Sequence, residues 1–322
     1  MELRRSADFG ETWSEPERPF TTNVDGRRGS LKTIYVTKLR GGRLLAAGLW
    51  VDRSTLPEVP FFNPKTEGVL PLAIVLSESA DRGRCWSRWR FVSSPDQPEL
   101  LAVTDPVLQL EDGTLLMTAE ASKSYYDLSP WRQRVVSLCS TDQGATWTAP
   151  ATRFHDPDGR IFYWDQRSAL NTGGEIVAFT WMYDHETGQN RNITRAISSD
   201  RGLTWSQPDD LGFADQPSHP AILADDRLVL AWVDRYHSKS IRAAMAPASD
   251  RPFMRESEVV LYEAIGNAAG RAKNTGEYLE SITEWTYGLP YAVALSDGTV
   301  LVAYYCGGDG CIDCCWARLS LD

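Results

Sequence analysis

The residues Ser198-Ser-Asp200-Arg-Gly202-Leu-Thr204-Trp205 form the stretch that decides the fold of this 322-residue chain. The same phrase, with Cys in place of Thr once, recurs at residues 6–13, 79–86 and 140–147. Its aspartates are separated by 73, 61 and 58 residues in chain order. A phrase written four times at nearly regular spacing indicates a repeat architecture, and a period of about 60 residues suits four-stranded propeller blades.

The chemistry of the phrase predicts a hairpin corner. A turn Asp accepts hydrogen bonds from backbone N–H groups a few residues on, and the Gly supplies a position of positive φ. Thr and Trp then begin the next strand, where the indole packs between neighbouring hairpins. The alternative is a set of calcium or catalytic loops, but each phrase offers one carboxylate where calcium needs several oxygen ligands. A fifth, eroded copy is expected at Ser249-Asp250-Arg251-Pro252.

Pairs of apolar strands joined by tight turns recur between the copies. Turn signals such as Glu111-Asp-Gly and Ser296-Asp-Gly separate the two members of a pair. The N-terminal 20 residues hold a repeat copy without a preceding pair, and residues 311–321 supply a strand without a following copy. We therefore expect the two chain ends to share a closing blade, which removes open sheet edges. The five pairs are Ile34–Leu39 with Arg43–Leu49, Pro106–Leu110 with Thr114–Ala119, Arg167–Leu170 with Glu175–Trp181, Pro220–Leu223 with Arg227–Val233, and Pro290–Leu295 with Thr299–Tyr305.

The repeated phrase is what is called an Asp box, and through it the chain resembles the sialidase-like (BNR repeat) β-propeller superfamily. The resemblance covers most of the chain and implies an all-β fold, a single propeller domain over residues 1–322 with six four-stranded blades. Direct counting of strand pairs gives five blades as the main alternative. Propellers without enzymatic activity carry Asp boxes too, so function has to be argued from the site.

Composition narrows the class of protein further. A formal charge of −10 without a basic run argues against nucleic acid as a partner. No apolar run is long enough to span a bilayer, and the first repeat begins at residue 6, leaving no room for a signal peptide. The expected location is therefore the cytoplasm, unless the chain is processed. No phosphate-binding glycine loop, His-Glu-x-x-His or EF-hand loop is present, so no cofactor or metal is expected. The expected partner is a carbohydrate; the oligomeric state is left open.

The six cysteines divide into two groups. Cys85 and Cys139 are interpreted as small buried hydrophobic residues. The other four, Cys306, Cys311, Cys314 and Cys315, fall within ten residues, a spacing compatible with zinc or with a disulfide. Cys314 and Cys315 are adjacent on a predicted strand and so point to opposite faces, which makes four convergent thiolates hard to arrange.

Candidate site residues lie just before the first or just after the second strand of each pair, where propeller loops converge on one mouth. They combine carboxylates, arginines and aromatic side chains, as glycan sites do. The catalytic candidates are Asp52, Asp165, Asp105, Tyr287, Glu120 and Glu284. The substrate-binding candidates are Lys32, Arg53, Trp164, Arg167, His219, Asp234, Arg235 and Tyr305.

The resemblance to sialidases implies three arginines for the sialic carboxylate, a Tyr/Glu nucleophile pair and an Asp acid/base. Asp52, followed by Arg53, fits the Asp slot after the second strand of the first blade. The first Arg slot holds Lys32, which keeps the charge without the bidentate fork. Counting back from the final turn places Leu289 in the nucleophile slot, two residues after Tyr287.

The favoured function is therefore a glycoside hydrolase of sialidase-like type, acting on a glycan that can carry a sialic or uronic acid. Asp52 would be the acid/base, Asp165 or Asp105 its partner, and Glu120 or Glu284 the base for Tyr287. Arg53, Arg167 and Arg235 would anchor substrate. One alternative is a non-catalytic propeller that binds glycan or protein. Another is a polysaccharide lyase using His219 with Tyr287 or Tyr236, although His219 is more simply a hydrogen-bonded histidine at a strand start.

Overall fold

The computed structural model describes residues 1–93, 100–149, 151–264, 274–308 and 310–321. Within them the chain forms five antiparallel sheets, each of which is one propeller blade. The expectation of six blades is therefore wrong, and the count of five strand pairs was the better guide. The chain divides into two compact units, here called unit 1 and unit 2. Unit 1 comprises residues 1–6, 13–159 and 275–280, and unit 2 comprises residues 7–12, 160–274 and 281–322.

Unit 1 contains two sheets, each running outward in chain order. The first consists of β1 (Gly29–Lys38), β2 (Leu44–Asp52), β3 (Leu72–Ser79) and β4 (Arg90–Phe91). The second consists of β5 (Leu100–Val103), β6 (Leu108–Gln109), β7 (Leu115–Ser122), β8 (Arg134–Ser140) and β9 (Ala151–His155), with β5 and β6 both paired to β7.

Unit 2 contains three sheets. The first has β10 (Ile161–Leu170), β11 (Ile176–Asp184), β12 (Gln189–Asn190), β13 (Thr194–Ser198) and β14 (Asp209–Asp210). The second has β15 (Gln216–Pro217), β16 (Ala221–Ile222), β17 (Leu228–Asp234), β18 (Ser240–Ala246) and β19 (Val259–Glu263). The third has β20 (Gly288–Ala294), β21 (Val300–Gly308) and β22 (Cys311–Leu319). The remaining elements are α1 (Thr275–Ser281) and two 3-10 turns, Arg255–Ser257 and Ile282–Glu284.

Runs of apolar residues explain where the core of each unit lies. The second strand of a sheet is buried on both faces along most of its length, as in β7 and β17, and most of its residues are apolar. In unit 1 the side chains of β2, β3, β7 and β8 form the main cluster, which also takes in Trp147 of the third repeat. Among the described residues of unit 2, one apolar cluster lies around β17 and β21 and another around β11 and β17. No helix among the described segments is long and apolar enough to cross a membrane.

In three of its four copies the repeated phrase forms the corner between the third and fourth strands of a sheet, which confirms the turn interpretation. In the fourth copy the Asp200 carboxylate accepts the backbone N–H of Thr204 at 2.8 Å, and Ser198 Oγ donates to Asp200 at 2.8 Å. Asp8, Asp81 and Asp142 accept the equivalent backbone N–H group. The glycine has positive φ in every copy, and so does the residue before it. Each aspartate is thus occupied within its own turn.

Two smaller expectations about the repeats meet different outcomes. Cys85, which replaces the repeat threonine, is exposed and not buried, because that position points outward from the corner. The eroded copy does form a turn between β18 and β19, but its Ser249 hydroxyl donates to Asp226 at 3.0 Å and not to Asp250. Cys139 is half-buried.

The first repeat copy lies against the last strand of unit 2. Trp316 Nε1 of β22 donates to the carbonyl of Gly10 at 3.0 Å, and Arg318 pairs with Glu11 at 3.0 Å. In the other copies the repeat follows the third strand of its sheet. Residues 7–12 take the same position beside β22, the third strand of the three-stranded sheet. This arrangement agrees with the prediction that the two chain ends share a blade.

Candidate functional site

The inner strand of every sheet is interrupted at the same point. The pairing register shifts at Lys32 in β1, between Trp164 and Arg167 in β10, and between Gly288 and Tyr291 in β20. In the other two sheets the inner strand is split into two pieces, β5 with β6 and β15 with β16. Interruptions of this kind re-aim side chains away from the regular alternation of a strand. Most residues that the sequence placed before the inner strands lie in or beside these breaks.

Two of the breaks hold a residue in the left-handed region. Asp165 has φ of 44° and Leu289 has φ of 45°. Asp adopts this conformation at modest cost, whereas a leucine there is an outlier that its surroundings must enforce. The twisted backbone at Asp165 directs the carboxylate to Arg167, whose Nη2 lies 3.3 Å from Oδ1. Asp165 Oδ2 also accepts the side-chain amide of Gln216.

Arg235, which directly follows β17, is the centre of the unit 2 cluster. Its side chain is 6% exposed, and its Nη2 donates to Gln216 Oε1 at 3.0 Å and to the carbonyl of Tyr287 at 3.4 Å. Its guanidinium carbon lies 3.6 Å from the centre of the Trp285 ring, a close cation–π contact. Arg235 Nε and Nη1 are buried without a hydrogen-bond partner within the described part of the chain.

A buried carboxylate, Asp215, accompanies Arg235. Its Oδ2 lies 4.0 Å from Arg235 Nη1 and accepts the backbone N–H of Arg235 at 3.4 Å. Burial raises the pKa of Asp215 to about 6, although the nearby guanidinium acts in the opposite direction. Asp215 and Gln216 were both missed by the sequence reasoning, because an isolated Asp-Gln pair in a loop carries no sign of burial or of an arginine partner.

Two tyrosine hydroxyls complete the cluster. Burial raises the pKa of Tyr287 to about 12, and the charge of Asp215 adds to the rise while Arg235 opposes it. Burial also raises the pKa of Tyr305, against a hydrogen bond with Arg235. Because burial raises both pKa values, the Tyr287 and Tyr305 phenols stay protonated at neutral pH. Gly288 makes room for Arg235 and Tyr305, since a Cβ there would stand 2.5 Å from Arg235 Nη2 and 2.9 Å from the Tyr305 hydroxyl.

The structure gathers five of the predicted residues of unit 2 in one group, here called the Arg235 cluster. It consists of two buried arginines joined through a carboxylate and an amide, with three aromatic side chains around the second arginine. Its members are Asp165, Arg167, Asp215, Gln216, Arg235, Trp285, Tyr287 and Tyr305.

Other predicted residues of unit 2 have different surroundings. Trp164 is 5% exposed and stacks on Tyr183 with ring centres 4.5 Å apart, so its faces are occupied by protein. His219 stacks on Tyr291 at 4.7 Å. Asp234 caps a turn by accepting the backbone N–H groups of residues 237 and 238. Glu284 is exposed at the end of a 3-10 turn.

The predicted residues of the first sheet lie at its β1 break and at the end of β2. Asp52 is partly exposed, accepts the N–H of Ser54 at 2.8 Å and lies 3.5 Å from Arg27 Nη1. Arg53 donates to the carbonyl of Val59 at 2.7 Å. The Lys32 ammonium lies 5.1 Å from the centre of the Phe61 ring. Partial desolvation, together with the charge of Arg53, lowers the pKa of Lys32.

The second sheet holds the remaining two candidates. Asp105 is fully buried between β5 and β6, and Glu120 is half-buried in β7, opposite Ala102. A fully buried aspartate is poorly placed to exchange protons with a substrate in this conformation. Over the residues that the structure describes, no group of three or more His, Cys, Asp or Glu side chains could hold a metal ion.

Comparison with known proteins rests on structure alone, since neither a protein-family profile nor a curated protein matches the chain. A protein of unknown function from Dyadobacter fermentans DSM 18053 aligns with a TM-score of 0.71 and 21% identity, over 97% of this chain and 81% of that one. The Hadza microbial sialidase Hz136 aligns with a TM-score of 0.63 and 17% identity, over 94% of this chain and 56% of that sialidase.

A third similar structure is the intramolecular trans-sialidase from Ruminococcus gnavus, solved with oseltamivir carboxylate. It aligns with a TM-score of 0.62 and 13% identity, over 99% of this chain and 87% of that one. Likeness at such low identity establishes the fold and not the activity. Together with the five sheets and their repeated corners, these alignments identify the chain as a protein with the sialidase-like β-propeller fold, built here from five blades.

Proposed function

We propose that the protein is a glycoside hydrolase that binds a glycan carrying a carboxylated sugar at the Arg235 cluster. The observation that carries the proposal is the state of Arg235 itself. It is buried, fixed by Gln216 and Tyr287, and keeps Nε and Nη1 without a hydrogen-bond partner in the described chain. Buried polar groups are normally satisfied, so two open donors on one guanidinium point to an anionic ligand.

The surroundings of Arg235 suit a sugar acid better than a simple anion. Trp285 and Tyr287 offer aromatic faces beside the guanidinium, and aromatic rings pack against the apolar faces of sugars. Arg167, which forms an ion pair with Asp165, supplies a second buried cation. Two of the similar structures, a sialidase and a trans-sialidase, are named for action on sialic acids, which supports the same substrate class.

For the chemistry we propose Tyr287, within the Arg235 cluster, as the nucleophile. Tyr287 would attack the anomeric carbon while its proton passes to a carboxylate, because a phenol is a poor nucleophile until deprotonated. The glycosidic bond breaks in the same step, and the leaving oxygen takes up the proton from that carboxylate. Water then cleaves the bond between the sugar and Tyr287 and restores the phenol. Arg235 would hold the sugar carboxylate beside it. Asp165, which is 24% exposed, is the carboxylate of the cluster best placed for contact with substrate.

The raised pKa of Tyr287 favours a second candidate function, namely binding without turnover. With a pKa of about 12, only a very small fraction of the phenol is ionised at neutral pH. Glu284, a predicted base, is exposed at the end of a 3-10 turn. A non-catalytic propeller would use the same arginines and aromatic rings to hold an acidic glycan.

Binding is the first test, measured by calorimetry. We expect N-acetylneuraminic acid or glucuronic acid to bind much more tightly than its own methyl ester, which keeps the sugar and loses the charge. Arg235→Lys should lose most of this preference, because Lys cannot donate two parallel hydrogen bonds. Arg242→Lys serves as the matched control, because Arg242 lies on β18, outside the Arg235 cluster, and is paired with Glu258. Equal affinity for acid and ester in the wild type would overturn the proposal.

Turnover is the second test and separates the two candidates. Release of 4-methylumbelliferone from its sialic acid or glucuronic acid conjugate is followed for the wild type and Tyr287→Phe. A hydrolase loses turnover in the variant and retains ligand affinity. If the wild type binds the acid but releases no fluorophore from either conjugate, the non-catalytic function replaces the hydrolase.

A further inference from the structure

The hairpin of β21 and β22 carries four of the six cysteines. Cys306 of β21 and Cys315 of β22 form a disulfide, and their Cα atoms are 6.4 Å apart, within the range that disulfides span. The strand register pairs Cys306 with Asp313, so Cys315 is a diagonal neighbour of Cys306 and not its direct partner. Both sulfurs pack against the apolar cluster around β17 and β21.

Cys311 is the other diagonal neighbour of Cys306. It precedes Asp313 by two residues, as Cys315 follows it by two, and residues two apart on a strand share a face. The Cys311 thiol is free and exposed, and its Sγ lies 3.8 Å from Asp313 Oδ2, directed toward the residue opposite Cys306. Cys314 is also free and exposed, but it pairs with Tyr305 and lies on the opposite face.

We propose that Cys306, Cys311 and Cys315 form an intramolecular thiol–disulfide exchange site. The Cys311 thiolate attacks Sγ of Cys306, so that a Cys306–Cys311 bond forms while the Cys306–Cys315 bond breaks. Cys315 leaves as a thiolate and takes up the proton that Cys311 gave to solvent. One disulfide and one thiol are present before and after the step, so no external oxidant or reductant is needed.

The two disulfide isomers place the cross-link differently. With Cys315 the link ties the body of the hairpin, one residue beyond Tyr305 of the Arg235 cluster. With Cys311 the link moves to the tip of the hairpin, beside the turn at Gly308, and Cys315 becomes a free thiol packed on the apolar cluster. A buried free cysteine behaves as a small hydrophobic residue, so both isomers leave the core filled.

The test is to locate the free thiols. Native protein is equilibrated at pH 8.5, where thiolates are abundant, then quenched with acid, unfolded in guanidinium chloride and alkylated with N-ethylmaleimide, so that buried thiols also react. The disulfides are next reduced and alkylated with iodoacetamide, and fragmentation mass spectrometry reads the label on each cysteine. We expect part of Cys315 to carry maleimide, matched by an equal part of Cys311 that does not. Cys311→Ser should lose the maleimide at Cys315, and Cys314→Ser should keep it.

A second variant makes the alternative bond obligatory. In Cys315→Ser, oxidised with dissolved oxygen, we expect Cys306 to be protected from maleimide by a bond to Cys311. In the double variant Cys311→Ser/Cys315→Ser, treated in the same way, we expect Cys306 to be labelled. If Cys306 is labelled in Cys315→Ser, or Cys315 is never labelled in the wild type, there is no exchange site. The same holds if Cys314→Ser abolishes the Cys315 label.

Discussion

At the scale of single residues, the pair of Asp215 and Arg235 is the most consequential feature. A carboxylate removed from water loses hydration that one guanidinium 4.0 Å away replaces only in part. Its Oδ1 has no hydrogen-bond partner in the described chain, which is why burial dominates its pKa. The negative charge nevertheless lies beside Arg235, so it balances the cation that the proposed ligand would use.

Asp215 makes stability depend on pH in an unusual direction. Its folded pKa of about 6 exceeds the ordinary value near 3.9, so the folded state binds more protons between pH 4 and pH 6. The free energy of unfolding therefore falls as pH rises through that window, by about 2–3 kcal/mol for a shift of two units. Urea unfolding of wild type and Asp215→Asn from pH 4 to pH 7 measures this.

Only the difference between the two proteins isolates Asp215. Asp184 and Asp200 have lowered pKa values and lose stabilising charge as pH falls, in both proteins alike. As pH rises from 4 to 6, the free energy of unfolding of the wild type should fall relative to that of Asp215→Asn. A constant difference over that range contradicts the assignment.

Gly288 provides a second test at this scale. Gly288→Ala puts a methyl group 2.5 Å from Arg235 Nη2 and should displace the guanidinium, weakening sugar acid binding by about tenfold or more, the equivalent of one lost charge-assisted hydrogen bond. Gly298→Ala is the control, because its φ is also positive, at +85°, and nothing lies within 4 Å of the added Cβ. Calorimetry on both variants decides, and similar affinities in the two would contradict the role of Gly288.

At the scale of elements, the repeat corner is the unit that the sequence describes best. Its Asp, Gly and Ser roles follow from turn chemistry, and the structure places them as turn chemistry requires. One copy departs from the pattern. In three copies the threonine hydroxyl donates to the Asp carboxylate, whereas at Cys85 a thiol takes its place beside Asp81.

Restoring that hydroxyl should strengthen the second corner. A hydroxyl donates a stronger hydrogen bond than a thiol, so Cys85→Thr should raise the melting temperature slightly, by about 1–2 °C. Cys85→Val, which matches Thr in shape without the hydroxyl, is the control and should give no such gain. Calorimetric melting of the three proteins measures the effect, and equal gains in Thr and Val would attribute it to shape.

The inner strands show where sequence reasoning stops at this scale. The strand pairs were predicted because alternation and turn signals are continuous from the breaks onward, as in Arg167–Leu170 with β11. Upstream of each break the register shifts, so Ile161–Trp164 no longer follows the same alternation and was not assigned to the strand. A register shift depends on pairing with another strand, which a local pattern does not contain.

At the scale of the whole molecule, the fold could be predicted and the site only in part. Repeat spacing and the resemblance indicated a propeller, while the family expectation of six blades gave way to the five that the strand pairs predicted. Asp165, Arg167, Arg235, Tyr287 and Tyr305 were proposed from the sequence because they lie near the start of the first strand or the end of the second strand of a pair, and the structure brings these five together. Asp215 and Gln216 were not, since their importance comes from three-dimensional burial alone.

The division into two units gives a prediction for hydrogen exchange. Addition of N-acetylneuraminic acid should slow exchange in the segments of unit 2 around β15, β20 and the Ile282–Glu284 turn, which border the Arg235 cluster. Ligand binding stabilises the segments that it orders, and hairpins remote from the cluster should be unchanged. The methyl ester should protect the same segments much less. Protection confined to unit 1 would contradict a site at Arg235.

The broken inner strands bear on how such a protein can change over evolutionary time. Because the ladder is already interrupted at Lys32, Asp165 and Leu289, replacing these residues removes no sheet pairing at those positions. Each blade thus contributes a position where side-chain chemistry can be exchanged while the strands on either side keep the scaffold intact. A lineage could in this way shift its preference from one sugar to another, one blade at a time, before any loss of foldability eliminated the intermediates.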